Sequence, residues 1–153
     1  MGDIQFNVVK AKSGTYLDLV GTGNARLIAV LVKASGLEAD ATLKDHTTLA
    51  SILAGTTDEC DFTNYARKVI SVVTNTIDNT NDWFNSDTAD LIWTTAGGAT
   101  NNSIGAIIFC YDADTTSGTD SNIIPLYKMD YTETTTGSDL EVRINTNGLF
   151  RST

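Results

Sequence analysis

The stretch SIGAIIFCYDADTTSGTDSNIIPLYKMDYTETTTGSDLEVRINTNGLF, residues 103–150, contains three strand-like runs separated by two loops rich in Thr, Gly, Ser and Asp. The first run, Ile104 to Tyr111, is apolar at both odd and even positions, which is typical of a strand covered on both faces. The last run, Leu140 to Ile144, alternates apolar and polar residues, as a half-buried strand does. A buried strand and a half-buried strand joined by a long return predict the core of a β-sandwich.

The remainder of the chain continues this pattern. Ala25 to Lys33 and Asn64 to Ile77 are rich in β-branched and aliphatic residues, and each predicts a strand. Asp90 to Thr95 predicts another strand, with Leu91 and Trp93 pointing inward. About six to eight strands with turns between them predict an all-β fold, an antiparallel β-sandwich of the jelly-roll or Greek-key kind.

One short helix is predicted among the strands, from Thr47 to Gly55. Its apolar residues recur at helical spacing: Leu49, Ile52 and Leu53. Asp45 or Thr47 can cap its N-terminus, and the glycine at its end suits the position after a helix. Because two turns of helix are too short to be stable alone, we expect it to lie over an open end of the sandwich.

The N-terminal residues 1–23 predict either an edge strand or an extended arm that lies on a neighbouring subunit. Ile4, Phe6 and Val8 alternate with polar residues, and Ser13-Gly14 reads as a polar turn. Residues 24–153 are expected to form a single β-sandwich domain, since a chain of this length can bury one substantial core.

The composition argues against two classes of partner. The formal net charge is −9 with ten scattered Lys and Arg residues, whereas a phosphate-binding surface needs clustered basic residues, so we expect no nucleic-acid partner. No apolar run approaches the roughly 18–20 residues of a membrane span, so we expect no membrane partner. The start MGDIQFNVVKAK lacks the apolar core of a secretory signal, which predicts synthesis in a cytoplasm.

Few residues in the chain carry reactive chemistry. Its one histidine, His46, precedes the predicted helix and is expected to be solvated or to cap that helix. Cys110 is expected to be a small buried apolar residue, and a disulfide with Cys60 is an alternative that a cytoplasmic origin disfavours. The chain has no GxSxG, P-loop, HExxH or CxxC motif, so we predict no catalytic residue and no bound cofactor.

Two Asp-rich loops are the candidates for a metal site. Asp112, Asp114 and Asp120 lie in or beside DADTTSGTD, and Asp78 and Asp82 bracket DNTND. Calcium takes several carboxylate and carbonyl oxygens, but neither loop fits the EF-hand pattern. Aspartates that close turns with their side chains explain both loops, so we predict no metal ligand.

The aromatic residues offer one alternative binding surface, a platform for a sugar. Trp83 and Phe84 follow a predicted turn and are expected to be the most exposed. The other aromatics lie mostly on strand runs and are expected in the core: Trp93, Tyr111, Tyr127 and Tyr131.

Three stretches together resemble a family of small virion proteins of tailed bacteriophages. They are FTNYARKVISVVTNTIDNTNDWFNSDTADLIWTTAGGATN (62–101), SIGAIIFCYDADT (103–115) and IIPLYKMDYTETTTGSDLEVRINTNGLFR (123–151). The likeness is one of motif order and spacing, and it covers residues 62–151. It carries no active-site signature.

The resemblance implies a non-enzymatic structural role, as a capsid decoration (cement) protein that binds and stabilises the shell of major capsid protein. The expected location is the capsid surface of the virion, after synthesis in the host cytoplasm. Symmetric capsid sites favour a homotrimer, with contacts between subunits at Gly2–Phe6 and the long loops. The alternatives are a tail- or fibre-associated module that binds a receptor or carbohydrate, and a hydrolase, for which no set of catalytic residues is evident.

Overall fold

The computed structural model describes residues 2–145 and 148–152, so Thr146 and Asn147 of the third resembling stretch lie outside the described residues. Its strands are β1 (Ile4–Gln5), β2 (Arg26–Lys33), β3 (Lys68–Ile70), β4 (Thr74–Asp78), β5 (Trp83–Asp87), β6 (Leu91–Ala96), β7 (Ser103–Asp112), β8 (Ile124–Thr134), β9 (Ser138–Val142) and β10 (Phe150–Ser152). Its helices are α1 (Ser13–Leu19), α2 (Asp40–Leu43) and α3 (Leu49–Leu53), with a 3-10 turn at Asn7–Val9.

The strands form three antiparallel sheets. The largest has the order β1-β8-β7-β2-β3, the second has the order β10-β5-β4, and the third pairs β6 with β9. Side chains of the largest sheet and of the β6–β9 pair belong to one buried apolar cluster. The fold is therefore all-β and sandwich-like with antiparallel sheets and a short helix, as the sequence predicts.

Strands β2 and β7 lie at the centre of the largest sheet and are buried on both faces. Ala29 pairs with Phe109, and the next residues, Val30 and Ile108, pair with each other while pointing to the opposite face. All four side chains are fully buried. The apolar run at both odd and even positions of β7 is thus explained, because elements cover both sides of the sheet.

The first face of the largest sheet is covered by α1, by β10 and by the β6–β9 sheet. Tyr16 of α1 contacts the ring of Tyr111, with 4.9 Å between ring centroids. Phe150 of β10 stacks on Tyr127 at 4.7 Å. Trp93 of β6 is 1% exposed, which confirms that it points inward.

The second face is covered by α2, α3 and the loop before β8. Lys128 pairs with Ile108 in the strand register, so both lie on this face, and Asp40 of α2 forms an ion pair with Lys128. The backbone N–H of Leu49 in α3 donates to the carbonyl of Ile123 at 2.9 Å. The short predicted helix is therefore joined to the loop that leads into β8, and its Leu49 and Ile52 side chains are buried in the core.

The N-terminal segment is an edge strand of the same chain, which decides between the two predicted alternatives. Ile4 and Gln5 pair with β8, and Phe6 is fully buried. The predicted turn at Ser13-Gly14 is wrong, because Ser13 begins α1 and its hydroxyl donates to the Val9 carbonyl at 2.9 Å. Packing of α1 against the sheet outweighs the low helix propensity of its glycine.

The long strand predicted from Asn64 to Ile77 is two strands, β3 and β4, in different sheets. Asn64 lies in a turn with a φ of 69°, and residues 71–73 form the link between the two strands. A β-branched run favours extended backbone but does not specify one sheet, so the sequence pattern could not reveal this division.

The predicted helix exists and Gly55 follows its C-cap, Ala54, as predicted, but the predicted N-cap residues are wrong. Thr48, and neither Asp45 nor Thr47, is its N-cap: its side chain accepts from the backbone N–H of Ser51 at 3.1 Å, while the Ser51 hydroxyl accepts from the backbone N–H of Thr48 at 3.3 Å. This reciprocal pair needs a capping hydroxyl and, three positions later, a side chain that accepts the N-cap N–H, and Thr48 and Ser51 supply them.

A core substitution tests the central strand pair. Ile107→Ala removes a fully buried side chain from β7 and should lower the free energy of unfolding by about 2–5 kcal/mol. Ile92→Ala is the matched control, because Ile92 is 46% exposed on β6, and it should cost less than about 1 kcal/mol. Equal losses in urea denaturation would contradict the central position of β7.

Candidate functional site

Three loops that are distant in sequence meet in one place, at residues 63–64, 95–102 and 135–139, hereafter the loop junction. The Gly97 N–H donates to the Thr63 carbonyl at 2.9 Å, and the Gly137 N–H donates to the Ala96 carbonyl at 2.7 Å. Each loop contains part of a motif that carries the family resemblance, namely FTNYAR, WTTAGGATN and TTTGSDL. Motifs separated along the chain therefore build one structural feature.

Polar side chains of the loop junction bond to its own backbone. The Asn64 side-chain amide donates to the Thr95 carbonyl at 3.0 Å, and the Thr95 N–H donates to Asp139 Oδ1 at 2.8 Å. The Asn102 N–H donates to the Thr135 hydroxyl at 2.9 Å. These groups hold irregular backbone in place, as buried or partly buried loops require.

Gly97 is required by the crowding inside the loop junction. Its φ is 95°, and a Cβ added there would lie 2.2 Å from Asn101 Oδ1 and 2.9 Å from Thr135 Oγ1. Gly137, with a φ of 93°, lies against Gly98 from the facing loop. The glycines of these motifs thus permit a close approach of backbones.

Arg67, which ends the motif FTNYAR, links two carboxylates. Its guanidinium donates to both oxygens of Glu59 at 2.8 and 2.6 Å, and to both oxygens of Asp120 at 2.6 and 2.9 Å. These hydrogen bonds hold the pKa of the Asp120 carboxyl below its usual value. The bidentate contacts tie the Asp-rich loop to Glu59, which forms a β-bridge with Val32 at the edge of β2.

Tyr65 supplies a hydrogen bond that the edge of β2 would otherwise lack. Its hydroxyl accepts from the backbone N–H of Leu31 at 3.2 Å and donates to Glu59 Oε1 at 2.7 Å. Burial is the largest cause that raises the pKa of this phenol. Tyr65 and Arg67 of the same motif therefore share one carboxylate, and both serve to organise the fold.

The Asp-rich loop closes on itself. Asp112 Oδ1 accepts the N–H of Asp114 at 3.0 Å, and Asp114 Oδ1 accepts the N–H of Thr116 at 3.1 Å. Hydrogen bonds from the Thr116 and Ser117 hydroxyls lower the pKa of Asp114 to about 2. With Asp120 bound to Arg67, the three aspartates do not converge on a common point.

The second Asp-rich loop is the turn between β4 and β5. Asp78 accepts the backbone N–H groups of Thr80 and Asn81 at 2.8 and 3.0 Å, and Asp82 adopts a φ of 55° in the same turn. Across residues 2–145 and 148–152, no group of three or more His, Cys, Asp or Glu side chains is arranged to hold a metal ion.

The structure contains a buried charged network that sequence reasoning missed. The Lys128 side chain is 0% exposed, and its ammonium lies 2.8 Å from Asp40 Oδ1 and within ion-pair distance of Asp130. It also donates to the Gly2 carbonyl at 2.8 Å, while the Gly2 N–H donates to Asp40 Oδ2 at 2.9 Å. The one feature of the sequence that could have revealed this network is Lys128, a lysine within the apolar run of β8 and two residues before Asp130.

The pKa values of this network follow from its contacts. Burial acts to lower the pKa of Lys128, but hydrogen bonds to Asp130 and Asp40 outweigh it and hold that pKa above its usual value. The hydrogen bond from Lys128 in turn lowers the pKa of Asp40. The charged forms of Lys128 and Asp40 are therefore favoured at neutral pH, and the N-terminal segment is tied to α2 and β8.

The sequence predicts that His46 is solvated or caps the helix, but in the structure it does neither. Its Nε2 lies 2.6 Å from Glu38 Oε2, and the two side chains are 19% and 14% exposed. The pair joins the segment before α2 to the segment after it. Glu38 lies eight residues before His46, on the far side of α2, and the path of the chain through α2 that brings them together is not visible in local composition.

The two cysteines are free and buried, so the disulfide alternative is excluded. The Cys60 N–H donates to the Leu31 carbonyl, whereas Cys110 pairs with Ile28, which places the cysteines about 10 Å apart along β2. That separation is too long for a disulfide. Burial raises the pKa of the Cys60 thiol to about 12 and also raises that of Cys110.

The aromatic side chains do not form an open platform. Trp93, Tyr111 and Tyr127 are buried in the core as predicted. Trp83 and Phe84 were expected to be the most exposed aromatic residues, but both are half-buried. The Arg151 guanidinium lies 3.3 Å from the centroid of the Trp83 ring. The stacked guanidinium occupies one face of the ring, and a sugar on that face would have to displace it.

No helix within the described residues is long and apolar enough to cross a bilayer. Comparisons with protein-family models, with curated proteins and with solved structures find no match to this chain. Its function is therefore inferred from the residues and the geometry described above.

Two glycine substitutions, made in separate variants, test the crowding in the loop junction. Gly97→Ala and Gly23→Ala both place a Cβ on a residue of positive φ, at a common cost of about 1 kcal/mol, but only Gly97 has neighbours within 4 Å of the added atom. We expect Gly97→Ala to lower stability by a further ~1–3 kcal/mol in chemical denaturation, because the added atom overpacks the junction. Similar values for both variants would contradict the crowding.

The Lys128 network predicts a pH-dependent loss of stability. Lys128→Met should lower the free energy of unfolding at pH 7 by about 3 kcal/mol, because it leaves partly buried carboxylates without their partner. The contribution of Asp40, whose pKa is lowered in the folded state, is present above the ordinary aspartate pKa of about 3.9 and is lost below it. The difference between wild type and variant should therefore shrink from pH 7 to pH 2.

Arg143→Met is the control for this measurement, since Arg143 pairs with Glu141 at the surface and is 79% exposed. An exposed pair of this kind contributes less than about 1 kcal/mol, so this variant should change little at either pH. A Lys128→Met deficit that stays constant between the two pH values would show that the lysine acts through packing alone.

Proposed function

We propose that this chain is a non-enzymatic structural protein of a tailed-bacteriophage virion. Within that class, we propose that it is a capsid decoration (cement) protein, which binds and stabilises the shell of major capsid protein. The observation that carries the proposal is the resemblance of three stretches over residues 62–151. Its support from the geometry is that motif residues such as Thr63, Gly97 and Gly137 meet in the loop junction.

The physical character of the chain suits such a role. A hydrogen bond from Lys128 to the Gly2 carbonyl anchors the N-terminal segment, and the ion pair of Arg67 with Asp120 anchors the Asp-rich loop. Loops held in this way are already ordered before a partner binds, so association loses less conformational entropy. The net charge of −9 favours a separate, soluble subunit before assembly.

The proposal includes the expected setting of the subunit. A homotrimer on the capsid surface matches the symmetric sites that a capsid presents. The major capsid protein is the partner, and neither nucleic acid nor a membrane is needed for this function. Since Gly2–Phe6 packs on its own sheet, the long loops are the better candidates for contacts between subunits.

A tail- or fibre-associated carbohydrate binder is the second function that the sequence raised. Its best candidate platform was Trp83 and Phe84, and the Trp83 ring is covered by Arg151. This contact counts against the alternative, because a sugar on that ring face would have to displace the stacked guanidinium.

Binding to capsids tests the proposal. Purified protein should co-sediment with capsids of the matching phage that lack it, and it should raise the temperature at which those capsids open. Lysozyme added at the same concentration is the control for non-specific sedimentation. Absence of binding, with no gain in capsid stability, would refute the decoration role, and binding to tails or to a glycan array would favour the alternative.

A further inference from the structure

A cleft of about 490 Å³ lies where the three sheets approach one another, between the link from β3 to β4 and the link from β5 to β6. We refer to it as the edge cleft. Val69 and Val72 line it and are 59% and 69% exposed, which is unusual for two valines so close in sequence. Ile70 and Leu91, both 7% exposed, also line it. Exposed aliphatic groups that line a concave surface are typical of a protein contact.

The edge cleft runs along an open edge of the largest sheet. β3 is the last strand of that sheet, and within the described part of the chain no strand pairs with its outer side. An open edge presents unpaired backbone N–H and C=O groups to which an extended segment can bind. The cleft therefore places apolar side chains beside the open edge of the short strand β3, and within it the Val72 carbonyl accepts the Thr88 hydroxyl at 3.2 Å.

The charge at the edge cleft is negative. Asp87 and Asp90 line it, and each uses Oδ1 to accept a backbone N–H, from Thr88 and Ile144 respectively, at 2.8 Å. None of the described residues that line the cleft is basic, and the Lys68 ammonium of β3 is held over the Trp93 ring, 5.2 Å from its centroid. A second copy of this chain, with its net charge of −9, is a poor match for this surface.

We propose that the edge cleft binds an extended segment of a partner protein in which aliphatic side chains alternate with Lys or Arg. The aliphatic groups cover Val69 and Val72, and the basic groups neutralise Asp87 and Asp90. If the decoration role is correct, this segment belongs to the major capsid protein. That identification rests on the proposed function, whereas the docking site itself does not.

Synthetic peptides test the docking site directly. A blocked heptapeptide with alternating Val and Lys is titrated into the isotope-labelled protein and followed by NMR. It should shift the amide signals of residues 69–74 and 87–91. A twin with Glu in place of Lys, and another with Gly in place of Val, should bind at least about tenfold more weakly, because each lacks one of the two recognised features.

A pair of substitutions provides the matched control. Val72→Asp places a charge in the edge cleft, whereas Ile77→Asp places the same charge on β4 at a side chain that is 72% exposed and outside the cleft. Both variants should fold, since each site is largely exposed. Val72→Asp should weaken peptide binding at least about tenfold through loss of the apolar contact, and Ile77→Asp should not.

Three outcomes would overturn the proposal. They are equal binding by the two variants, equal affinity for the Val/Lys and Gly/Lys peptides, and self-association of the wild type that Val72→Asp abolishes. The same variants in the capsid assay separate this inference from the proposed function. Wild type that fails to bind capsids refutes the decoration role, whereas wild type and Val72→Asp that bind capsids equally refute only the assignment of the cleft to the capsid contact.

Discussion

The pairing of β2 with β7 is the constraint on which the rest of the structure depends. Both strands are buried on their two faces, so the sheet that they form must be covered on each side. The β6–β9 sheet, β10 and α1 cover one face, and α2 and α3 cover the other. The short helices and small sheets are individually unstable in water, and they acquire their stability by packing on this pair.

Charged and polar contacts then determine how the covering elements are held. Lys128 ties the N-terminal segment to α2, and Arg67 ties the Asp-rich loop to the edge of β2. The loop junction joins three connections through Gly97 and its neighbours. Such contacts contribute less to the total free energy than the apolar core, but each allows only one geometry. The outcome is an ordered surface of loops, which is what a protein that acts by binding requires.

The distinction between the buried core and the contacts that hold its covering elements explains which features could be predicted from the sequence. Trp93 and the strand Ile104 to Tyr111 were predicted correctly, because burial imposes a periodic pattern that local sequence displays. The division of Asn64 to Ile77 between two sheets was not predicted, since a β-branched run gives the same sequence pattern whichever sheet its strand joins. The ion pair of His46 with Glu38 and the network of Lys128 were also missed. Such contacts join residues whose proximity is created only by folding.

By itself, the sequence determined the fold class, the central strands and the inward side of β6 and β9, because these follow from the alternation of apolar residues. It also supplied the motifs on whose resemblance the proposed function rests. Only the tertiary structure decided that those motifs converge in the loop junction, that Cys60 and Cys110 are too far apart for a disulfide, and that Val69 and Val72 line an open cleft. Each of these depends on which strands become neighbours, and the packing of the whole chain selects that arrangement.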